Sequence, residues 1–198
     1  YGHLAGVKTV QKIVEASIVL KIPIISFYVF SSENWKRPKL EINYLFNLIN
    51  LYFNKEINNL IRNNIKIVIS GRKKNLPFKI RSILKKTISK TRKNNKLIVN
   101  LAINYGSKNE IIDAVKKINE KSQNITESSI DRNLYSSLPF PDILIRTGGQ
   151  KRLSNFMIWQ LAYTEIFFLD KLWPDFTAKE LKKIISKYNK VKRNFGSI

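Results

Sequence analysis

The sequence predicts an α/β fold, with a single-layer, mostly parallel sheet covered by helices. Two observations carry that expectation. Amphipathic stripes at helical spacing alternate with short apolar runs along the whole chain. The apolar runs are solid rather than alternating, as expected of parallel strands covered on both faces.

The first element is a helix over residues 2–20, because Leu4, Val7, Val10, Val14 and Ile18 recur at helical spacing. Pro23 then introduces a buried strand at 24–30. A long helix begins after Pro38, with Leu45, Leu48, Ile49, Tyr52, Phe53, Ile57 and Leu60 as its apolar stripe. The next strand, 65–69, is closed by Gly71, and a basic amphipathic helix covers 77–90. Residues 97–103 form another continuous strand. Ser107 and Glu110 have the spacing of a capping box that opens a helix to about residue 119, and Thr126 starts a shorter one. Strands follow at 143–145 and 166–168. Thr177 and Glu180 form a second box, for a helix ending near Tyr188.

Bulk composition narrows the class. The 198 residues read as one domain, 1–198, without repeat, linker or clear internal boundary. A hydrophobic fraction of 43% and an aromatic fraction of 11% argue against disorder. With no cysteine there is no disulfide or thiolate metal site, and His3 alone excludes a site of several histidines. The longest apolar region, 18–30, is broken by Lys21 and Pro23 and is too short to span a bilayer. No signal peptide precedes it, so a cytoplasmic protein is expected. The first residue is not methionine, so a native start upstream of Tyr1 is expected. The net charge of +22 raises the possibility of a nucleic-acid partner. The cations are nevertheless spread over the chain, on helix faces whose periodicity marks them as solvated. No nucleic acid is expected, and weak attraction to an anionic membrane surface is.

The most informative segment is Pro141 onward. The apolar run 143–145 ends in Arg146-Thr147-Gly148-Gly149, with Arg152 and Ser154 just behind. In an open α/β sheet, ligands bind at the carboxyl ends of strands. Guanidiniums, a hydroxyl and glycine amides gathered there suit a phosphate or diphosphate. A second loop, Phe30-Ser31-Ser32-Glu33-Asn34-Trp35-Lys36-Arg37-Pro38, also follows a strand. It mixes hydroxyls, an amide, a carboxylate, an indole and an arginine. It reads equally as a helix-capping loop, with Ser32 or Asn34 as the cap and Pro38 opening the next helix.

These segments, with Asn104-Tyr105-Gly106, Trp159-Gln160, Ala162-Tyr163, Glu165, Trp173-Pro174-Asp175-Phe176 and Phe195-Gly196, occur in one order. In that order they resemble the cis-prenyltransferases, specifically the bacterial undecaprenyl diphosphate synthases, over essentially the whole chain. The resemblance implies an enzyme that extends an allylic diphosphate, farnesyl diphosphate above all, with isopentenyl diphosphate units. Each new double bond is cis and the product is a long-chain polyprenyl diphosphate, such as a cell-wall lipid carrier precursor. It further implies Mg²⁺, a homodimer, and a hydrophobic tunnel between the sheet and two long helices, with Leu97, Val99 and Leu101 in its lining. Arg146, Arg152 and Ser154 match the positions that bind isopentenyl diphosphate. Glu165 matches a magnesium carboxylate, and His3 and Arg37 match positions near the allylic diphosphate. Ser31, Asn34 and Trp35 match the mobile loop that places the incoming unit, with Asn34 and Arg37 as the catalytic pair.

Blander roles stand beside these. His3 could be structural, and Glu165 could be a buried partner for an arginine. Trp35 is expected as an exposed indole beside Arg37, while Trp159 and Trp173 are assigned to core or subunit contact. The sequence also departs from the family. A member carries an upstream strand ending in Asp-Gly-Asn-Gly-Arg, whose aspartate is the principal magnesium ligand, and no such segment lies in residues 1–198. An extension of about 25–45 residues would supply that strand and its turn. Residues 1–198 alone are expected to catalyse little without it. Gln150 stands where an acid is usual, and Ser107-Lys108 where Gly-Arg is common. A non-catalytic accessory subunit of the same fold is the alternative, and a basic nucleic-acid-binding protein is the third.

Overall fold

The computed structural model describes residues 2–192, so the Phe195-Gly196 motif lies outside the described residues. The chain divides into two compact units, one of residues 21–138 and one of residues 1–20 with 139–198.

In the unit of residues 21–138, three parallel strands lie in the order β1-β3-β2. They are β1 (Ile24–Ser31), β2 (Ile65–Ser70) and β3 (Leu97–Tyr105), linked through helices α2 (Lys39–Arg62) and α3 (Phe78–Thr91). Central β3 is the most buried, and Leu97, Ala102, Ile103 and Tyr105 are all 0% exposed. Its largely apolar character follows, since helices and neighbours leave neither face to water. Leu97, Val99 and Leu101 are buried on one face of β3, as their two-residue spacing predicts. On the other face Asn100 is buried between the strands. Its amide accepts from Ser70 Oγ at 2.8 Å and donates to Ser26 Oγ at 3.2 Å. On α2 the buried stripe is Ile42, Phe46, Phe53, Ile57 and Leu60, so Leu45, Leu48 and Ile49 sit at its half-buried margin.

Gly71, just past β2, shows where only glycine fits. Its φ is +132°, and a Cβ would lie 2.0 Å from the carbonyl oxygen of Ile103. The turn therefore packs backbone on backbone against the end of β3.

Helices α4 (Ser107–Glu120) and α5 (Glu127–Asn133) follow β3. The Ser107/Glu110 capping box does not form: Gly106 is the N-cap, and both Ser107 and Glu110 are buried. Glu110 is instead drawn to tyrosines, accepting from Tyr105 OH at 2.5 Å and from the Tyr135 backbone N–H at 2.9 Å. Thr126 does cap α5, through Ser129.

Arg72 grips Asp113 with both ends of its fork, at 2.7 Å each, and Tyr135 OH donates to the same carboxylate at 2.5 Å. The Arg72 bond is the main reason the Asp113 carboxyl is held below its ordinary 3.8; burial opposes the shift and Tyr135 assists it. A depressed folded pKa stabilises the protein above the unfolded value, and this is lost as pH falls through the folded value. Asp113→Asn should therefore cost about 1–2 kcal/mol at pH 7, allowing for partial exposure. The gap from wild type should close as pH drops below the ordinary carboxylate range. Urea unfolding at pH 7 and at pH 3 checks this; an equal gap at both would remove the ion pair as the cause.

The other unit holds α1 (Gly2–Val19), strands β4 (Ile143–Arg146) and β5 (Glu165–Phe168), and α6 (Ala178–Tyr188). The expected α1 stripe is displaced: Thr9, Ile13, Val14 and Ser17 are buried, while Leu4 is exposed. Two hydroxyls fit this buried face because each finds a carbonyl. Ser17 donates to Ile13 O at 2.7 Å and Thr9 to Pro174 O at 2.9 Å. Trp173, assigned from sequence to core or subunit contact, is half-buried. Its ring stacks on Phe176 and its N–H donates to Gly6 O at 3.1 Å. A Cβ on Gly6 would press on that indole at 3.3 Å, which explains the glycine. The Thr177/Glu180 box forms as expected, with Thr177 N–H donating to Glu180 at 2.9 Å and Lys171 pairing with the same carboxylate at 2.7 Å.

The parallel α/β class therefore holds, with helices against the sheet strands. The described strands nonetheless form two sheets, one of three strands and one of two, rather than a continuous one. Among the described residues β1 hydrogen-bonds only to β3 and β4 only to β5, so each keeps one edge without a strand partner.

Candidate active site

In the β4–β5 unit, β4 ends at Arg146 and the following glycines are zipped to the segment beyond β5. Leu169 N–H donates to Arg146 O at 2.8 Å, Gly149 N–H to Leu169 O at 2.9 Å, and Gly148 N–H to Lys171 O at 2.8 Å. Both glycines have positive φ, +92° and +74°. Left-handed backbone then recurs at Ser154 (φ 50°), Asn155 (62°) and Met157 (45°). Three such residues within four positions are costly, a pattern that clusters at ligand sites.

The strained turn carries Ser154 back to Arg146. The Arg146 Nη1 donates to Ser154 Oγ at 2.8 Å and to the carbonyl of Arg152. Arg152 is steadied in turn by Gln150, whose Oε1 accepts from it at 2.7 Å. The neutral Gln150 thus holds a cation by one hydrogen bond, where an acid would neutralise it. Burial, and then the like charge of Arg152, pull the Arg146 pKa below its ordinary value. The Arg146 Nε is buried without a partner. An unmet buried donor costs about 1–3 kcal/mol. An anionic oxygen would satisfy it and relieve the repulsion between the two guanidiniums, so the cluster is built for an anion. Arg146, Arg152 and Ser154 therefore lie together.

Glu165 is not part of that cluster. In the parallel register it pairs with Ile143 at the start of the strands, whereas Arg146 pairs with Phe168 at their far end. Three residues separate the two levels, about 10 Å of strand, and alternation puts the two residues on opposite faces. His3 lies exposed in the first turn of α1.

The second expected loop belongs to the other unit. Ser31 ends β1 and caps a 3₁₀ turn, Ser32–Lys36. The Asn34 side chain accepts from the Ser31 N–H at 2.8 Å, so the capping reading and the loop reading describe one structure. The cap itself is Ser31 rather than Ser32, and Pro38 is the N-cap of α2. Trp35 is not the exposed indole expected. Its ring lies half-buried against Phe30 and Phe46, at centroid distances of 5.2 and 5.6 Å, and its N–H donates to Asn104 Oδ1 at 2.7 Å. Apolar packing and a buried acceptor outcompete solvent for the indole. Arg37 is exposed and pairs with Glu41, one helical turn on, at 2.6 Å.

Two residues near this loop were given no role from sequence. Asn104 appeared only within a motif, and its left-handed φ of 51° at a strand end is visible only in the fold. Tyr28 is the other. Burial, with the nearby Glu33 charge, pushes its phenol up to about 12, and its OH donates to Tyr105 O at 3.3 Å. A tyrosine in an apolar run carries no signal that would separate it from core.

Comparisons with known proteins give the family and the fold. A family described as "Putative undecaprenyl diphosphate synthase" matches residues 1–196. The isoprenyl transferase of Fusobacterium nucleatum is 42% identical, covering 100% of this chain and 86% of that protein. That of Rickettsia bellii is 44% identical, over 98% of this chain and 87% of its own length. A crystal structure of a probable undecaprenyl diphosphate synthase from Campylobacter jejuni superposes with a TM-score of 0.90. It is 39% identical and covers 98% of this chain and 92% of its own. Lavandulyl diphosphate synthase from Lavandula x intermedia, solved with dimethylallyl diphosphate, gives a TM-score of 0.93 at 28% identity, over 98% and 88%. With a parallel α/β fold, a family match over residues 1–196 and relatives about 40% identical along nearly the whole chain, the chain belongs to the cis-prenyltransferase family of undecaprenyl diphosphate synthases and isoprenyl transferases.

Proposed function

We propose that the protein joins isopentenyl diphosphate to an allylic diphosphate such as farnesyl diphosphate, with cis double bonds, to make a long-chain polyprenyl diphosphate. The observation that carries this reading is the Arg146 cluster with its unmet buried N–H, in a chain of this family. The lavender enzyme solved with dimethylallyl diphosphate supports an allylic diphosphate as the other substrate.

The reaction breaks the allylic C–O bond, and diphosphate leaves with the electron pair. The isopentenyl double bond supplies the electrons for the new C–C bond, and transfer of a proton from that unit to the departed diphosphate restores a double bond. Arg146, Arg152 and Ser154 hold the isopentenyl diphosphate head so that its double bond is at hand when the cation forms, converting an encounter into an intramolecular step. Asn34, Ser31 and Trp35 belong to the β1 loop assigned to placing this unit, and His3 and Arg37 are the residues assigned to the allylic diphosphate. The buried β3 residues Leu97, Val99 and Leu101 line the tunnel for the growing chain.

Magnesium is part of the proposal, but the described residues of one chain do not build its site. No group of three His, Cys, Asp or Glu that could hold a metal occurs among them, and Glu165 is remote from Arg146 by register. An ion carried mainly on diphosphate oxygens remains compatible with this, since Mg²⁺ commonly takes few protein ligands. Incorporation of labelled isopentenyl diphosphate into a long apolar product by the natural protein, as its own cell makes it, tests the reading. Turnover should vanish with EDTA and return with Mg²⁺; label incorporation undiminished in EDTA would discard the metal, and no incorporation with any allylic primer would discard the reaction.

Homodimerisation is supported by the outward face of β5, where Ile166 and Phe168 are exposed. Peripheral association of a cytoplasmic protein with anionic membranes is supported by charge. Between Glu56 and Glu110 there are fourteen Lys and Arg and no acid, and α3 turns most of its cations outward beside an exposed Phe78. No helix among the described residues is long and apolar enough to cross a membrane. Sedimentation should give twice the chain mass. Pelleting with anionic vesicles at low salt should be lost near 0.5 M, where the Debye length is about 4 Å; salt-independent pelleting, or none, would reject electrostatic association.

A further inference from the structure

Every hydrogen-bonding atom of the Asn104 side chain is used, and each bond reaches a different loop atom. Its Oδ1 accepts the Trp35 indole N–H at 2.7 Å. Its Nδ2 donates to the carbonyls of Arg72 at 3.0 Å and Lys74 at 2.9 Å. Its own carbonyl accepts from Arg72 N–H at 3.2 Å. The residue sits at the carboxyl end of central β3, with 6% exposure and the left-handed backbone that asparagine tolerates better than most residues. One amide therefore ties together the carboxyl ends of all three strands of this sheet: the turn after β1, the loop after β2, and β3 itself.

The chemistry at this position is restrictive. An aspartate would lose both donors, and an aliphatic side chain would leave an indole N–H and two carbonyls unmet in a largely buried place. Trp35 is fixed at both ends by this arrangement, its ring between Phe30 and Phe46 and its N–H on Asn104. Ser31 and Asn34, bonded to one another, lie in the same turn. The position of that turn is thus set from β3.

We propose that Asn104 is the positioning residue of the Ser32–Lys36 turn, acting through the Trp35 indole N–H and the carbonyls of the β2–α3 loop to hold the turn ready for isopentenyl diphosphate. This rests on the prenyl-transfer reading above, since it names how that site is kept in shape. Asn104 itself touches no reacting atom.

The test is a double-mutant cycle with Trp35→Phe and Asn104→Gly. Phenylalanine removes the N–H with the smaller of the two indole rings and keeps an aromatic ring against Phe30 and Phe46. Glycine keeps the left-handed backbone and deletes only the amide. Each single variant should raise KM for isopentenyl diphosphate about tenfold, with kcat changed less than threefold. Trp35→Phe should add nothing in the Asn104→Gly background. Additive effects, or an unchanged KM in either single variant, overturn the assignment. If Asn104→Gly does not fold, Trp35→Phe alone decides on the same KM criterion. A wild type without turnover would refute the reaction rather than the latch. The latch is then read separately by hydrogen exchange of the Trp35 indole N–H, protected in wild type and fast in Asn104→Gly. Equal exchange rates would reject it.

Discussion

Replacing Arg146 with alanine in the natural protein, as its own cell makes it, should lower kcat/KM for isopentenyl diphosphate by about 100- to 1000-fold, the loss seen when a preorganised charge-binding donor is removed. Part of the loss is direct, because the guanidinium carries the buried Nε that lacks a partner in the protein. The rest is indirect. Arg146 also holds Ser154 Oγ and the Arg152 carbonyl, so its removal frees the left-handed turn that aims both residues. KM should rise and turnover fall together. Arg146→Lys should recover little, since an ammonium cannot contact Ser154, the Arg152 carbonyl and an anion in one plane. Stability should scarcely change, and could improve slightly as repulsion with Arg152 disappears. Steady-state kinetics with varied isopentenyl diphosphate decides the matter. Kinetics within threefold of wild type would remove Arg146 from the site.

Gly71→Ala should be the most damaging single-methyl change in the sheet of residues 21–138. The new Cβ meets the Ile103 oxygen at 2.0 Å and the Asn104 oxygen at 3.1 Å, both backbone atoms of the central strand. Neither can swing aside as a side-chain tip would, and the φ of +132° is itself closed to alanine. A cost of about 3–5 kcal/mol is expected, a size confined to a few named mechanisms of which this is one. For a chain of this length that is a fall in Tm of about 10 °C. Thermal unfolding of the variant checks it, and a shift under 3 °C would mean the turn can move away from β3.

The strands and helices were legible because their signals are local. Solid runs such as 97–103 and the Thr177/Glu180 box specify their own conformation and need no distant partner. The Arg146-Thr147-Gly148-Gly149 stretch with Arg152 and Ser154 was legible for a similar reason: a short turn must bring nearby cations together. What was missed depends on contacts across the fold. Glu110 has the spacing of a cap, yet two tyrosines more than four residues away compete for its carboxylate. Trp35 looks exposed beside Arg37 until Phe46, on the next helix, and Asn104, on β3, reach it. Glu165 is near Arg146 in the motif order, but strand register decides distance, and register is not written in either segment alone.

The buried Asn100 bears on how this sheet avoids mispairing while it folds. A strand such as β3, apolar at almost every position, could slip by two residues against β1 or β2 and still present apolar side chains to both faces. Such a slip would carry the Asn100 amide away from Ser26 and Ser70, leaving a donor and an acceptor stranded in a dry interior. Only one alignment satisfies both hydroxyls together. A single polar residue thereby acts as an index mark among interchangeable aliphatic ones, and the carboxyl edge carrying Asn104 comes into line with the β1 turn as a result.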